Sequence, residues 1–461
     1  MNTKRAGPAY SLEIVVSDSH VTEVSRVAAA MPGPVTVRDG NCPESGRSRL
    51  ILSTDGEQNL EELQSQLRTT LESHLVYCED RALACSRGGK TQTRATVSLD
   101  TAEDLALVYT PGVGRVSLRV AQDPERVNEL TGRANRVAVV TERSAVLGLG
   151  NLGPWGALPV MEGKAALFAG LAGINLEDIS APRCFAVEER LRHSLDIPVM
   201  HDDQHGTATV GLAALLNALR VVGKSLSRAR VVVVGAGAAG TAVTRILLAA
   251  GAADVVVWAP VGVLHPNLSS LLPAHKVWLA RHTNPRRIQG GLAEALTNAD
   301  AVIGVSAPGV LDRGLVQKMA GRPIVFALAT PEPEIDPDDV SDIAVVATGR
   351  SDYPNQVNNA LVFPGFFRGV LGSPATALTD DVFVASAHAL AELTVHPHAE
   401  RRLPDVFDPR VVPALAAAVK KTLSHPRARP VLPGRTSEAS VAAAGDGHET
   451  DPRPTKGDSH G

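Results

Sequence analysis

The stretch ARVVVVGAGAAGTAVTRILLAAGAADVVVW, Ala229 to Trp258, decides the fold class. An unbroken apolar run of valines reads as a strand buried on both faces. Gly235, Ala236, Gly237, Ala238, Ala239 and Gly240 then spell G-x-G-x-x-G. The pattern opens a helix and leads to a second apolar strand. That context makes the glycines meaningful: the first allows a tight turn, the second lets backbone approach a pyrophosphate, and the third lets helix and strand pack closely. The helix N-terminus then faces phosphates. A dinucleotide is therefore expected. An acid to hold the adenosine ribose should follow about 20 residues on. That position is Ala259, whereas Asp254 lies at the start of the second strand, the wrong end. NAD and NADP both stay open.

Working outward, DAVIGVS, IVFALAT and AVVATGRS add apolar strands. Alternating strands and helices mean a parallel sheet. The reading is an α/β protein: a Rossmann-like domain over 216–375, closed by C-terminal helices over 376–425, with a smaller α/β domain over 100–215. Residues 9–85 read as an α+β, ferredoxin-like module, 86–99 as a linker, and 426–461, rich in Pro, Gly and Ser, as a disordered tail. A chain of 461 residues is too long for one core. A net charge of −4 gives no reason to expect nucleic acid or an anionic membrane as partner. Four cysteines without metal-ligand spacing, no signal-like N-terminus and no charge-free apolar run long enough to span a bilayer lead to a cytoplasmic expectation.

Polar residues cluster in IPVMHDDQHGTA, where Asp202 and Asp203 lie between His201 and His205. A second acidic pair, Glu177 and Asp178, ends AGINLEDI. Both pairs follow short apolar runs, and parallel strands end on one edge, so the pairs can converge. Three carboxylates would suit Mg²⁺ or Mn²⁺. The alternatives are first-turn helix charges, or zinc on His201 and His205. Lys164, in PVMEGKAALF, is expected to open an apolar helix, where desolvation would lower its pKa towards that of a general base. A snorkelling surface lysine is the alternative. Tyr109 in LVYTPGVG, and Asn358 and Asn359 in PNQVNNALVFPG, are further candidates. A tyrosine can also simply pack, and paired asparagines often make turns.

The segments YTPGV, LGLGNLGP, PVMEGKAALF, GINLEDISAPRCF, IPVMHDDQHGTA, GAGAAGTA, GVSAPGVL and GRSDYPNQVNNALVFPGFFRG occur in order over about 100–420. Together they resemble the bacterial malic enzymes, in the form with an N-terminal ACT-like module. The resemblance implies oxidative decarboxylation of malate to pyruvate and CO₂ with NAD or NADP and Mg²⁺ or Mn²⁺, in a homodimer or higher homo-oligomer. It implies Tyr109 as proton donor, Lys164 as proton acceptor and substrate contact, and Asp202 as its tuning neighbour. It further implies Glu177, Asp178 and Asp203 as metal ligands, residues 235–240 and Thr330 at the cofactor, and Asn358 and Asn359 at the substrate. The chain departs from the pattern in four places. A strand–helix unit of roughly 30 residues is missing before GINLEDI. Thr330 replaces an asparagine, Ala259 replaces the ribose acid, and Glu142-Arg143 replaces a smaller D-G pair. A ligand-sensing relative without full activity, or a dehydrogenase of another small hydroxy acid, are the alternatives.

Overall fold

A computed structural model describes residues 9–424, except 41–44, 92–95, 98–99, 109–111, 136, 168–172, 196, 331, 351–352, 354, 372 and 374–377. Tyr109, the expected tail and the junction expected to be shortened therefore lie outside the described residues.

At the N-terminus, β1 (Ser11–Ser17), the helix Val21–Ala30, β2 (Thr36–Gly40), β3 (Arg47–Ser53), the helix Glu57–Leu71 and β4 (Leu75–Asp80) follow in turn. The strands form an antiparallel sheet in the order β2-β3-β1-β4. This is the split βαβ connectivity. Alternation along β1 turns Leu12, Ile14 and Val16 inward. They meet Leu60, Leu63, Leu67 and Leu71, spaced at helical period along one face, in a core separate from the others. β4 extends the β-α-β-β-α order expected from the sequence; LVYCED follows directly on a helix and none of its residues is fully buried.

The next layer is a parallel sheet of β5 (Val137–Thr141), β6 (Gly173–Glu177) and β7 (Val199–His201). β6 lies in the middle, with Leu176 paired to His201, so Glu177 and Asp202 leave the sheet at the same edge. The helix preceding β6 runs Gly153–Leu167 and so begins well before Lys164, which was expected to open it. GNLGPWG reads as a turn, yet Pro154 sits in the first helical turn, where a missing N–H costs nothing. Lys164 consequently lies in the last turn of this helix rather than opening it.

The third layer is the sheet β10-β9-β8-β11-β12-β13. Its strands are β8 (Arg230–Val234), β9 (Asp254–Ala259), β10 (Gly262–Val263), β11 (Ala301–Gly304), β12 (Ile324–Ala327) and β13 (Val345–Thr348). All pairs are parallel except β9 with β10. The chain order reverses between β8 and β11, which makes the crevice at their carboxyl ends the ligand position of a doubly wound sheet. Helices Ala238–Ala249, Phe363–Leu371, Asp380–Glu392 and Val411–Ser424 close the fold.

A π-helical turn, Asp202–Gly206, joins β7 to the helix Thr207–Val222. The expected domain border at 215/216 falls inside that helix. By length and composition Asp202–Val222 could cross a membrane, but 72% of its apolar window is buried, as befits a core helix.

Candidate active site

The carboxyl ends of β6 and β7 gather the acidic residues. Glu177 and Asp178 are buried, and Asp203 is partly buried. Each offers one carboxylate oxygen, all within 4.8 Å of one another. Among the described residues no other group of His, Cys, Asp and Glu converges in this way. Asp178 holds a left-handed φ of 53° and donates its N–H to Asp203 Oδ2 at 2.7 Å, which locks the two loops together. Glu177 Oε2 accepts from Asn175 Nδ2 at 2.9 Å. Asp178 Oδ2 is buried without a hydrogen-bond partner.

Lys164 brings the counter-charge. Its Nζ donates to Asp202 Oδ2 at 2.5 Å and also to Glu177 Oε1. It stands 5.1 Å from the centre of the Phe363 ring. Burial alone would lower its pKa, as expected from sequence, but Asp202, Glu177 and Asp203 outweigh that and raise it. The carboxyls respond the other way. Burial, then the field of Asp203, holds Glu177 well above the usual carboxylate range. Burial also raises Asp178. Asp203 is raised by burial first and then by Asp178 and Asp202, against the pull of Lys164. Several carboxyls thus face one ammonium, and burial favours the protonated forms of Glu177, Asp178 and Asp203 until a cation balances them.

Asp202 is fully buried and accepts from Asn359 Nδ2 as well as from Lys164. A Cβ at Gly206 would run into its Oδ1 and lie 3.2 Å from Asn359 Cβ, so the turn needs glycine there. Asn358 caps the short 3-10 helix Asn359–Leu361, its Oδ1 accepting from Ala360 N at 2.9 Å. The two histidines stay out of the acidic cluster. His205 turns to Glu188 and stacks on Phe383. His201 is wholly buried, mainly by which its pKa falls to about 4, and its Nδ1 lies 3.6 Å from Asp203 Oδ2.

The nucleotide edge matches its motif. Gly235 has φ +117°, and a Cβ there would come within 2.6 Å of Val305 O. A Cβ on Gly237 would meet nothing, which leaves its backbone open to a ligand. Ala236 is buried, and Ala238, Ala239 and Gly240 form the first turn of the helix Ala238–Ala249. Ala259 ends β9 fully buried, followed by Val261, 50% exposed. Thr330 is exposed beyond β12. Nearby, Glu334 accepts from Ser306 N at 2.7 Å and Ala329 N at 3.0 Å, tying together the loops after β11 and β12. Arg143 takes a φ of 64°, a conformation that suits a glycine, while Glu142 is held by Arg183 at 3.0 Å.

A profile described as "Malic enzyme, N-terminal domain" matches residues 88–175, and one described as "Malic enzyme, NAD binding domain" matches 204–423. The NAD-dependent malic enzyme of Geobacillus stearothermophilus is 45% identical over 75% of this chain and 79% of its own. The chain belongs to the malic enzyme family. The NADP-dependent malic enzyme of Halomonas elongata is 43% identical over 67% of this chain and 80% of its own. The crystal structure of the NAD-dependent malic enzyme from Thermotoga maritima superposes with a TM-score of 0.70 at 42% identity. It covers 74% of this chain and 99% of that one.

Four residues that sequence reasoning passed over contact the candidate site or the loops beside it: Asn175, Glu188, Glu334 and Phe363. Asn175 sits two residues before Glu177 on β6, a spacing that puts both on one face of a strand. Glu188 and Glu334 gave no local signal, because a glutamate in a helix or beside prolines ordinarily faces water.

Proposed function

We propose that this chain oxidatively decarboxylates malate to pyruvate and CO₂, reducing NAD or NADP, with Mg²⁺ or Mn²⁺ held by Glu177, Asp178 and Asp203. The observation that carries the reading is the convergence of those three carboxylates within 4.8 Å, beside the buried ammonium of Lys164. The donor set fits a hard cation: all ligands are oxygens, Asp178 Oδ2 is buried without a partner, and the local charge is short of a cation. When bound, the divalent ion supplies Lewis acidity towards the hydroxy acid, and the nicotinamide supplies the hydride acceptor.

The chain's own residues handle the protons. Lys164 is the acceptor for the C2 hydroxyl proton. Glu177 and Asp203, once neutralised, no longer hold Lys164 protonated, and burial then favours the neutral amine that a base needs. Asp202, fixed by Asn359, keeps Nζ aimed into the site. Tyr109 is proposed from its motif alone as the acid that returns a proton to C3. Asn358, whose oxygen serves the cap, presents its amide NH₂ to a substrate carboxylate, and Asn359 completes that wall. The loop 235–240 cradles the pyrophosphate, with Thr330 at the nicotinamide side.

The β-α-β-β-α-β unit supports an ACT-like regulatory role for residues 9–85. The missing strand–helix unit is part of the same proposal. A homodimer or higher assembly is supported by apolar surface along the helix Gly153–Leu167 and the loop before it, where Leu149, Leu152 and Trp155 are exposed, Trp155 by 84%. The proposed setting is the cytoplasm, with neither nucleic acid nor membrane as partner.

The test is purified protein with malate, Mn²⁺ and each dinucleotide in turn, followed by reduced-nicotinamide absorbance and a pyruvate assay. Pyruvate and reduced dinucleotide should appear in equal amounts. Dinucleotide reduction without pyruvate would reassign the chain to another hydroxy-acid chemistry. Binding without turnover would make it a sensing relative.

A further inference from the structure

Glu188 lies on the helix Arg183–Ser194, behind the acidic cluster, and is 6% exposed. Its carboxylate accepts from four groups. Oε1 takes His201 N at 3.2 Å, His205 Nε2 at 2.9 Å and Arg192 Nη2 at 2.7 Å. Oε2 takes Gln204 Nε2 at 3.1 Å. Arg192 also donates through Nε to Val199 O at 3.0 Å, at the start of β7. Three of the four donors thus belong to residues 201, 204 and 205.

The two residues skipped are Asp202 and Asp203, which meet Lys164 and Asp178 instead. The π-helical turn is therefore two-sided, with one side held by Glu188 and the other forming the site. π-helical turns are rare, occur mostly as single turns and frequently mark functional sites. Among the groups that hold this turn from outside, Glu188 takes the side chains of Gln204 and His205 within the turn and the N–H of His201 just before it. We propose that Glu188 is a positioning residue: it fixes the turn that carries Asp202 and Asp203, and so sets the affinity of the cation site without touching cation or substrate.

This rests on the reading of Glu177, Asp178 and Asp203 as cation ligands. The chemistry is specific to a carboxylate. A glutamine at 188 has one accepting oxygen, and its NH₂ must face either Gln204 Nε2 or the three donors at the other oxygen. Facing the three donors sets donor against donor, and facing Gln204 is satisfied only if that amide flips; in either case Arg192 loses its anionic partner, so the hold on the turn loosens.

The test is Mn²⁺ binding to Glu188→Gln and wild type, read by the paramagnetic resonance of free Mn²⁺, with dinucleotide binding and thermal unfolding measured in parallel. Outer-shell partners of metal ligands typically change affinity by about 10–100-fold. A loss of that size with dinucleotide binding unchanged is expected. Unchanged Mn²⁺ affinity in the folded variant would overturn the proposal. So would equal weakening of Mn²⁺ and dinucleotide with a lowered melting temperature, since that marks a purely structural role. Gln204→Ala removes only the bond to Oε2, and a smaller loss of Mn²⁺ affinity is expected. It decides the matter in the same way if Glu188→Gln does not fold. Wild-type protein that holds no Mn²⁺ would instead remove the cation site, and this proposal with it.

Discussion

Lys164→Met removes the one ammonium inside the acidic cluster while keeping most of the side-chain volume. Lys164 is 11% exposed and bonds Glu177 and Asp202, exposed by 6% and 0%. Breaking a buried ion pair by removing one partner costs about 3–5 kcal/mol, because the other charge is left uncompensated. Here two carboxylates lose their partner, so the variant should relieve the cost by taking up protons. A carboxyl whose folded pKa is raised above its unfolded value contributes stability at low pH that is lost as pH rises through the folded pKa. For each such proton, stability falls by about 1.4 kcal/mol per pH unit, or at most about 2.7 kcal/mol between pH 6 and pH 8. Wild type shares this slope in part, because Glu177, Asp178 and Asp203 are raised there too, but Lys164 opposes the rise; without it they are raised further, so the stability gap between wild type and variant should widen with pH by a fraction of that maximum. Denaturant unfolding of both proteins at pH 6 and pH 8, without divalent cations, measures it directly. Loss of a general base also lowers turnover by about 10²–10⁴-fold. A stability gap equal at both pH values, or full activity, would refute the picture of Lys164 as both counter-charge and proton acceptor.

Other outcomes follow from single contacts. Gly206→Ala should drive the Asp202 carboxylate away from Lys164 and Asn359; a displacement near 1 Å costs about 10²-fold in turnover, measurable in steady-state kinetics with the fold checked by circular dichroism. Because burial raises Glu177, Asp178 and Asp203, cation binding must displace protons, so Mn²⁺ affinity should climb from pH 6 to pH 8; calorimetry in buffers of different ionisation enthalpy counts the protons released. Ala259→Asp places a carboxylate where the adenosine ribose is expected and should favour NAD over NADP; the ratio of kcat/KM for the two dinucleotides reads the shift.

Much of this was legible because it was local or because topology did the work. The Gly235–Gly240 loop could be read from the strand before it and the helix after it. The acidic convergence could be read because β6 and β7, both short and apolar, are parallel neighbours and release their next residues at one edge. The position of Lys164 was not legible, since GNLGPWG looks like a turn until Pro154 is seen to start a helix. Nor was its protonation: apolar helix neighbours predicted a lowered pKa, but the three carboxylates that raise it arrive from distant segments. Glu188 stayed hidden for the same reason. In AVEERLRH it looks like helix surface, and the partners that meet it, His201, Gln204 and His205, come from a later segment.

The most direct measurement is the anomalous scattering of Mn²⁺ in crystals of the protein. One strong peak is expected, in contact with carboxylate oxygens of Glu177, Asp178 and Asp203. A peak bound elsewhere, or none at saturating Mn²⁺, would contradict the cation site and the malate chemistry built on it.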